Sequence, residues 1–238
     1  KFSAKFSNKT GFTYTKMYYD MDMNLAPHLM QPLELISEGK GNTDLISAYT
    51  SSSIGLSDQV TLNVGINVQV LTLNNSWVLE PRAGVKWQAS PKSSFALAYG
   101  LHSRMEKMDV YFVKTQGTGD RSVNKDLDFT KAHHVMLSYG FKVSDNMNVK
   151  IEPYFQYLYD VPVIADSSYS VLNRRDFYVE DALVNRGKGR NIGIDLTLER
   201  YLNKGLYYMV TASIFNSRYY GGDRKWRNTL YNRNYIVN

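Results

Sequence analysis

The sequence predicts an all-β protein whose strands form one antiparallel up-and-down meander, part of the wall of a large transmembrane β-barrel. Three observations lead to this prediction: apolar and polar residues alternate, short and long connections alternate, and aromatic residues gather at strand ends. The alternation is clearest in VTLNVGINVQV, residues 60–70, because side chains in a strand repeat every two residues. In a soluble sandwich the apolar face turns inward, whereas in a membrane barrel it meets lipid.

Ten segments are predicted in order as strands, because each alternates and is bounded by turn-forming residues. They are 2–7, 11–23, 45–56, 60–73, 78–89, 94–105, 131–143, 147–160, 190–202 and 205–219. The connections at 7–10, 56–59, 90–93, 144–146 and 202–205 have the composition of tight turns. Those at 24–44, 106–130, 161–189 and 220–233 are long, and 74–77 is a short exception among them. A meander with this alternation places the tight turns at one end, as in outer-membrane barrels.

The two faces of the later strands separate in the same way. The strand at 78–89 sets Leu79 and Val85 against Glu80 and Arg82. Residues predicted to face lipid include Val64, Ile66, Leu97, Leu137 and Ile194. Residues predicted to face a polar lumen include Asn67, Glu80, Arg82, Gly84, His134, Glu152, Asp195 and Glu199. The lumen charges either contact a plug or a substrate, or neutralise one another across neighbouring strands.

The aromatic residues divide between the two ends of the strands. Trp87, Phe95, Phe141 and Tyr201 lie near short turns, and Tyr18, Tyr19, Tyr157, Tyr159, Tyr219 and Tyr220 lie near long connections. Two aromatic girdles around an aliphatic band are typical of a lipid-facing wall. The alternative is aromatic packing in a soluble β-core, since strands favour aromatic residues in any case.

Composition limits the classes of function without choosing one. The 238 residues include no cysteine, which excludes disulfides and thiolate metal sites, and the four histidines lack zinc-site spacing. The net charge of +6 fits nucleic acid, anionic lipid or an anionic ligand, and equally a basic surface with no partner. No run approaches the roughly 18 apolar residues of a transmembrane helix, which a barrel strand does not need.

Three stretches resemble one known family. They are SWVLEPRAGVKWQASPKSSFALAYGLHSR at 76–104, ALVNRGKGRNIGIDLTLERYLNKGLYYMVTASIFNSRY at 182–219 and RNTLYNRNYIVN at 227–238. The chain resembles the barrel of TonB-dependent outer-membrane receptors, especially those of Bacteroidetes, over essentially its whole length. The resemblance implies about ten strands of a 22-stranded barrel, a location in the outer membrane of a Gram-negative bacterium, and nutrient uptake driven by TonB.

Relative to that family, residues 1–238 are expected to form a partial barrel domain without the plug, the TonB box or the terminal strands. The resemblance implies that the parent protein imports a metal–chelator complex, a cofactor, or an oligosaccharide or peptide. Its expected partners are the TonB complex, outer-membrane lipid, lipopolysaccharide and the nutrient. No resident cofactor, no metal and no nucleic-acid partner is expected.

Two long connections hold the candidate ligand contacts, because they combine arginine with aromatic residues. The candidates are Arg218, Tyr219, Tyr220, Arg224, Trp226 and Arg227, with Arg174, Arg175 and Tyr178 in the preceding connection. Arginine binds carboxylate or phosphate through paired hydrogen bonds, and aromatic rings stack on planar groups. We therefore expect an anionic or aromatic-bearing ligand such as a metal–chelator complex, with lipopolysaccharide or a merely solvated loop as the alternatives.

Two other classes of function stay open: a soluble all-β carbohydrate-binding module and an outer-membrane hydrolase. A hydrolase would use His102 or His134 with Ser103 or Ser138. No carboxylate or asparagine is evidently placed to orient the base, so the chain is not expected to be an enzyme. The run RGKGR at 186–190 lacks the spacing of a phosphate-binding loop and is predicted to be a turn into a strand.

Overall fold

A computed structural model describes residues 5–26, 30–115, 122–174 and 178–238. The strands follow one another in chain order in one sheet, each antiparallel to its neighbour, so the predicted meander is confirmed. They are β1 Phe6–Leu25, β2 Glu34–Gly55, β3 Val60–Leu71, β4 Ser76–Gln88, β5 Ser93–Arg104, β6 Thr130–Ser144, β7 Met147–Ile164, β8 Leu183–Asn203, β9 Leu206–Tyr220, β10 Trp226–Asn228 and β11 Tyr235–Val237. Strands β10 and β11 both pair with β9. The helix α1, Met108–Tyr111, and the 3₁₀ helix Val171–Asn173 lie in connections.

No helix in these described ranges is both long enough and apolar enough to cross a membrane.

The tight turns lie together at one end of the sheet, which we call the turn side. They are 56–59, 89–92, 145–146 and 204–205. The register brings them next to one another, since Gly55 pairs with Thr61 and Val60 pairs with Trp87. The opposite end, the loop side, carries the connections 26–33, 72–75, 105–129, 165–182 and 221–225. The predicted separation of short and long connections is therefore present in the fold.

The turn predicted at 7–10 is wrong, because SNKT lies inside β1. Asn8 Nδ2 donates to Thr50 Oγ1 at 3.0 Å and to Ser52 Oγ at 2.9 Å. These cross-strand bonds satisfy an amide that otherwise favours a local turn. Phe6 and Ser7 from the predicted strand 2–7 therefore lie in the same strand, β1, as the predicted strand 11–23, and residues 2–4 lie outside the described residues.

The connections predicted at 24–44 and 161–189 are shorter than expected, because the strands beside them are longer than predicted, and β10 shortens the one predicted at 220–233. The connection predicted at 24–44 shrinks to 26–33, and β1 and β2 stay paired up to Leu25 and Glu34. The run RGKGR is not a turn, since it lies within β8. Gly187 and Gly189 are buried in that strand while Lys188 is exposed.

Two tryptophans bound the apolar face of β4. Trp77 and Trp87 lie ten residues apart on the same face, and 64% and 48% of their surfaces are exposed. The residues between them on that face are Leu79, Pro81, Ala83 and Val85. Ten residues at about 3.3 Å each span about 33 Å, which a strand tilt of about 40° reduces to roughly 25 Å. This height matches the apolar band of outer-membrane barrels.

The same spacing recurs in β8 between Arg190 and Arg200. The residues between them on that face are Ile192, Ile194, Leu196 and Leu198. The band continues across the sheet, since Ile194 pairs with Pro153 on one side and Ile214 on the other. More than half of the Ile194 surface is exposed.

Three aromatic residues that were predicted for the girdles of the apolar face lie on the polar face instead. Tyr19 packs on Phe112 with ring centroids 4.5 Å apart, and Tyr219 is buried. The Tyr201 hydroxyl accepts a hydrogen bond from Asn148 Nδ2 at 3.3 Å on the polar face. Tyr18 and Tyr220 are the chain neighbours of Tyr19 and Tyr219. They lie on the apolar face, as predicted, since neighbouring residues of a strand point to opposite sides. The girdles therefore contain fewer aromatic residues than predicted.

The main cluster of buried apolar residues lies at the loop side, not between layers. It contains Leu71, Val78, Val110, Tyr111, Phe112, Val113, Leu127, Phe129, Val179 and Leu183. The connection 105–129 joins the sheet here, because the Lys114 N–H donates to the Ile36 carbonyl at 2.8 Å. Asn124 ties this connection to the next one: its Nδ2 donates to the Asp181 carbonyl, and its Oδ1 accepts the Leu183 N–H at 2.7 Å. We call the described residues of 105–129 together with 178–183 the inner cap.

Candidate functional site

The polar face of the sheet encloses a cavity of about 1080 Å³. Tyr49 of β2 and Ser217 of β9 both line it. Strands so far apart in the sheet share a cavity because the sheet curls around it. The polar face is therefore the concave face, and the face that carries Trp77 and Ile194 is the convex one.

Glu80 lies at the centre of a hydrogen-bond network on the concave face, and only 1% of its surface is exposed. One carboxylate oxygen accepts the Ser103 N–H at 2.6 Å, the Ser103 hydroxyl at 2.7 Å and Gln69 Nε2 at 3.0 Å. The other accepts Asn67 Nδ2 at 2.9 Å and Arg82 at 2.7 Å. Five donors satisfy this carboxylate, as a buried charge requires.

The network occupies a place where two strands separate. The ladder between β4 and β5 ends at the Arg82–Gly100 pair. Pro81 is the next residue of β4, and proline has no N–H with which to continue a ladder. Glu80 then accepts the Ser103 N–H that faces the gap. The carboxylate therefore joins β4 to β5 where backbone pairing has stopped.

Two imidazoles lie side by side in the cavity wall. The rings of His102 and His134 have centroids 4.7 Å apart and planes tilted by 48°. Arg82 and Tyr154 line the same cavity. Imidazole, guanidinium and phenol groups together can donate to carboxylate, phenolate or phosphate oxygens on a ligand.

The remaining predicted lumen charges are Glu152, Asp195 and Glu199, which lie nearer the turn side on the concave face. Glu152 accepts from Lys150 Nζ at 2.7 Å, and its cross-strand partner is Asp195, which lines the cavity. Glu199 pairs with Asn148. Lys150 offsets part of the charge of the two acids, as charges do that neutralise one another within a barrel wall, and Asp195 leaves one acid at the cavity.

The loop candidates do not form one surface, because strand alternation divides them. Arg218, Tyr220 and Trp226 share the convex face: Trp226 pairs with Tyr220, and Arg218 pairs with Arg190. Tyr219 and Arg227 pair with each other on the opposite face. Arg224 lies in the intervening turn with a φ of 62°.

Arg227 already has an anionic partner. Its guanidinium binds the Asp223 carboxylate through two bonds, NH1–Oδ1 at 2.8 Å and NH2–Oδ2 at 2.5 Å. These bonds lower the pKa of Asp223 and raise the pKa of Arg227. The pair closes the turn between β9 and β10, so Arg227 is less available to a ligand than the sequence suggested.

The three candidates in the connection 165–182 have different environments. Arg174 NH2 lies 3.6 Å from Asp109 Oδ2 and so ties this connection to α1. Tyr178 is half-buried within the inner cap. Arg175 lies outside the described residues.

The cavity also contains residues that sequence reasoning did not select as ligand contacts, namely Tyr49, His102, Tyr154 and Tyr231. Tyr154 and His102 could have been found, since alternation already placed them on the polar face. Tyr231 could not, because it depends on an insertion: residues 229–234 lie opposite only 215–217 of β9. Thr229 and Asn234 still bond to β9, so residues 230–233 loop out between them, and Tyr231 lines the cavity.

Within the described ranges, no group of three His, Cys, Asp or Glu side chains is arranged to hold a metal ion. The Ser103 hydroxyl donates to Glu80, and no described hydrogen bond links it to His102 or His134.

No protein-family model matches the sequence, and no curated protein matches it. Solved structures do match the fold. The FrpB iron transporter from Neisseria meningitidis (F3-3 variant) superposes with a TM-score of 0.62 at 16% identity, over 94% of this chain and 35% of that one. The ferric-catecholate import receptor Fiu from K12 E. coli gives 0.67 at 11% identity, over 98% and 38%.

The outer membrane transporter YddB from Escherichia coli gives a TM-score of 0.58 at 12% identity, over 90% of this chain and 30% of that one. The chain therefore spans about a third of the length of these proteins. At such identities the likeness concerns the fold, and the fold is that of a portion of the barrel of outer-membrane transporters and receptors.

Proposed function

We propose that this chain forms part of the barrel wall of a TonB-dependent transporter in the outer membrane of a Gram-negative bacterium, of the kind found in Bacteroidetes. The observation that carries the proposal is the convex aliphatic band, bounded on β4 by Trp77 and Trp87 at a spacing that fits a membrane. The fold likeness to iron and siderophore transporters supports it.

Residues 1–238 would then be a partial barrel domain, about ten of 22 strands. Energy from TonB would reach the nutrient through a plug carried elsewhere in the protein. The nutrient is a metal–chelator complex, a cofactor, or an oligosaccharide or peptide. Among these we favour an anionic metal–chelator complex, because Arg82, His102, His134 and Tyr154 present donors to one cavity.

The ligand site is therefore proposed on the concave face rather than on the arginines of the β9–β10 turn. A ligand entering the barrel meets the cavity, whereas Arg218 and Trp226 face away from it. Tyr231 extends the aromatic part of the site from the opposite wall.

The test is to replace His134 by alanine in the full-length protein and to measure uptake of radioactive iron supplied as a ferric catecholate. Ser138→Ala is the matched control, since Ser138 lies on the same face of β6 nearer the turn side. We expect reduced uptake for His134→Ala alone, at an unchanged level in the outer membrane. Equal uptake by both variants would remove the histidine pair from the site.

A soluble carbohydrate-binding module is the second candidate, and the exposed convex face argues against it. Val64, Ile66, Leu97, Leu137 and Ile194 have between 38% and 52% of their surfaces exposed on one continuous face. Soluble proteins rarely expose a contiguous apolar patch of this extent. Recovery of the full-length protein in the soluble fraction without detergent would favour the carbohydrate-binding module and overturn the proposal that the chain is part of a transporter.

A further inference from the structure

We propose that two copies of this protein associate within the membrane through a polar patch on the convex face of β1 and β2. The polar patch consists of four side chains, namely Asn8, Thr10, Thr50 and Ser52. The inference rests on the proposed outer-membrane location, and it names a partner and the surface that the partner contacts. It accounts for the polar run SNKT in β1, which the transport function leaves unexplained.

The polar patch lies on the face that carries the aliphatic band. On β2, Thr50 pairs with Ile66 of the band, and Ser52 lies two residues further along the same face. Asn8 and Thr10 lie on this face of β1, since Thr10 pairs with Thr50 and Asn8 is two residues away. The residues that precede and follow the patch on this face are apolar, namely Phe6, Phe12, Ala48 and Ile54. The patch is thus a polar island in an apolar surface.

The polar patch also lies near the middle of the band rather than at its border. At the loop side the first charges on this face are Lys16 and Asp44, which pair with each other. At the turn side Lys5 Nζ lies 3.6 Å from Asp58 Oδ1. At about 3.3 Å per residue and a strand tilt of about 40°, Thr10 lies about 15 Å in height from Lys16 and about 13 Å from Lys5. At such a depth there is no water to satisfy a polar group.

Hydrogen bonds inside the polar patch satisfy only part of it. Asn8 Nδ2 donates to the hydroxyls of Thr50 and Ser52, which uses both amide hydrogens. Asn8 Oδ1 accepts the Thr10 hydroxyl at 2.9 Å, so Thr50 is the donor in the 3.0 Å bond between the two threonine hydroxyls. In the part of the chain that the structure describes, no hydrogen bond uses the hydrogen of the Ser52 hydroxyl. One donor and several lone pairs are therefore open toward the membrane.

A second copy of the protein is the occupant that can satisfy these groups. Both copies cross the membrane in the same direction, so a two-fold axis that relates them is parallel to the membrane normal. Residues at one depth then face residues at the same depth, and the polar patch of one copy meets that of the other. Hydroxyl and amide groups both donate and accept hydrogen bonds, so the patch is complementary to itself. A lipid chain or the aliphatic wall of another barrel would leave the Ser52 hydroxyl unsatisfied.

The side chains in and around the polar patch allow two walls to approach each other. Threonine, serine and the neighbouring Ala48 are small, and small residues permit close contact between membrane-spanning segments. Phe12 lies beside the patch with 67% of its surface exposed. In the dimer this ring would contact the second copy at the same depth and contribute apolar contact area.

The first experiment measures self-association of the full-length protein in detergent by sedimentation equilibrium at several ratios of protein to detergent. We expect the unaltered protein to show a monomer–dimer equilibrium. Thr10→Val/Thr50→Val keeps the shape of both side chains and removes their hydroxyls, and it should raise the Kd of the dimer about tenfold or more. The matched control is Thr13→Val/Thr15→Val, which makes the same changes on the concave face of β1 and should leave the Kd unchanged.

The second experiment locates the contact by disulfide crosslinking in native outer membranes, in a protein without other cysteines. Oxidation of Thr50→Cys should give a covalent dimer. Leu137→Cys is the control, because Leu137 lies on the convex face of β6, away from the polar patch. Equal crosslinking of the two variants would indicate random collisions and overturn the proposed contact.

A protein that stays monomeric at every ratio, or an equal rise in Kd for the two double variants, also overturns the proposal. Thr50→Val alone should raise the Kd several-fold, and it decides the matter if the double variant does not assemble. Fractionation of the unaltered protein tests the proposed function separately. Recovery away from the outer membrane overturns both proposals, whereas outer-membrane recovery of a monomeric protein overturns the dimer contact alone.

Discussion

At the scale of single residues, the environment of a side chain here follows from which face of the strand it occupies. Tyr219 and Tyr220 are neighbours in the chain, yet one is buried on the concave side and the other contacts Trp226 on the convex side. Glu80 shows how a charge is accommodated on the inner face. Its carboxylate is enclosed and accepts five donors from β3, β4 and β5.

Replacing Glu80 by glutamine should destabilise the protein by roughly 2–4 kcal/mol, because the new amide group would face donors and leave some of them unsatisfied. Glu152→Gln is the control, since Glu152 has one lysine partner and is less enclosed. The free energy of unfolding in urea, measured on the full-length protein in lipid, distinguishes them. Similar losses for both variants would mean that the network around Glu80 has no special structural role.

Tyr111 links the stability of the inner cap to pH. Burial raises the pKa of this phenol from 10.0 to about 12, and its hydroxyl accepts the Glu106 N–H at 3.2 Å. A raised pKa contributes stability that is complete below the unfolded value and is lost as the pH rises through the folded value. The window is therefore about pH 10 to 12.

Tyr111→Phe should remove the part of the alkaline transition that belongs to the cap. Near-UV circular dichroism followed against pH measures it on the unaltered protein and the variant. Superimposable alkaline transitions would show that ionisation of Tyr111 does not open the cap.

At the scale of elements, alternate residues of a strand lie on the convex apolar face and on the concave polar face. The sequence predicted β3 to β7 well because their alternation is uninterrupted. It failed at 7–10, where Asn8 is satisfied across the strand pair, and at 186–190, where glycine serves close packing rather than a turn. Such contacts depend on neighbouring segments, so no local pattern shows them.

Val64 and Asn63 offer a matched test of the two faces of β3. Val64→Arg places a charge in the middle of the apolar band and should cost about 2–4 kcal/mol of barrel stability. Asn63→Arg places the same side chain one residue away, beside the concave cavity, and should cost far less. Unfolding in bilayers compares them, and equal costs would contradict the membrane assignment.

The cavity was predictable in part. Alternation indicated that Arg82 and His134 share a face, but not that His102 lies against His134, because that contact depends on the stagger of β5 and β6. Arg218 and Trp226 were grouped with Arg227 because they are close in sequence. The register with β9 separates them.

At the scale of the whole molecule, the proposed membrane location implies a definite orientation of the sheet in a bilayer. Trp77 lies at the loop side and Trp87 at the turn side, and the residues between them on the convex face are uncharged. The inner cap also lies at the loop side. In the proposed orientation, the membrane would therefore contact the convex face between the two tryptophans, and the lumen would contact the concave face.

Lipids brominated near the headgroup should quench Trp77 and Trp87 more strongly than lipids brominated at the ends of their chains. The measurement compares the full-length protein with Trp77→Phe and Trp87→Phe, so that each difference reports one tryptophan. Stronger quenching from the bilayer centre would place the tryptophans mid-membrane and contradict the proposed band.

The inner cap compensates for unequal strand lengths. Strands β1 and β2 have 20 and 22 residues, whereas β3, β4 and β5 have 12, 13 and 12, so the wall has a low section beside a high one. The connection 105–129 packs over the low section, and Asn74 Nδ2 of the β3–β4 turn donates to the Leu127 carbonyl at 2.7 Å. A homologue could therefore raise or lower one side of its wall by lengthening or shortening this connection, without adding a strand or disturbing the convex apolar band.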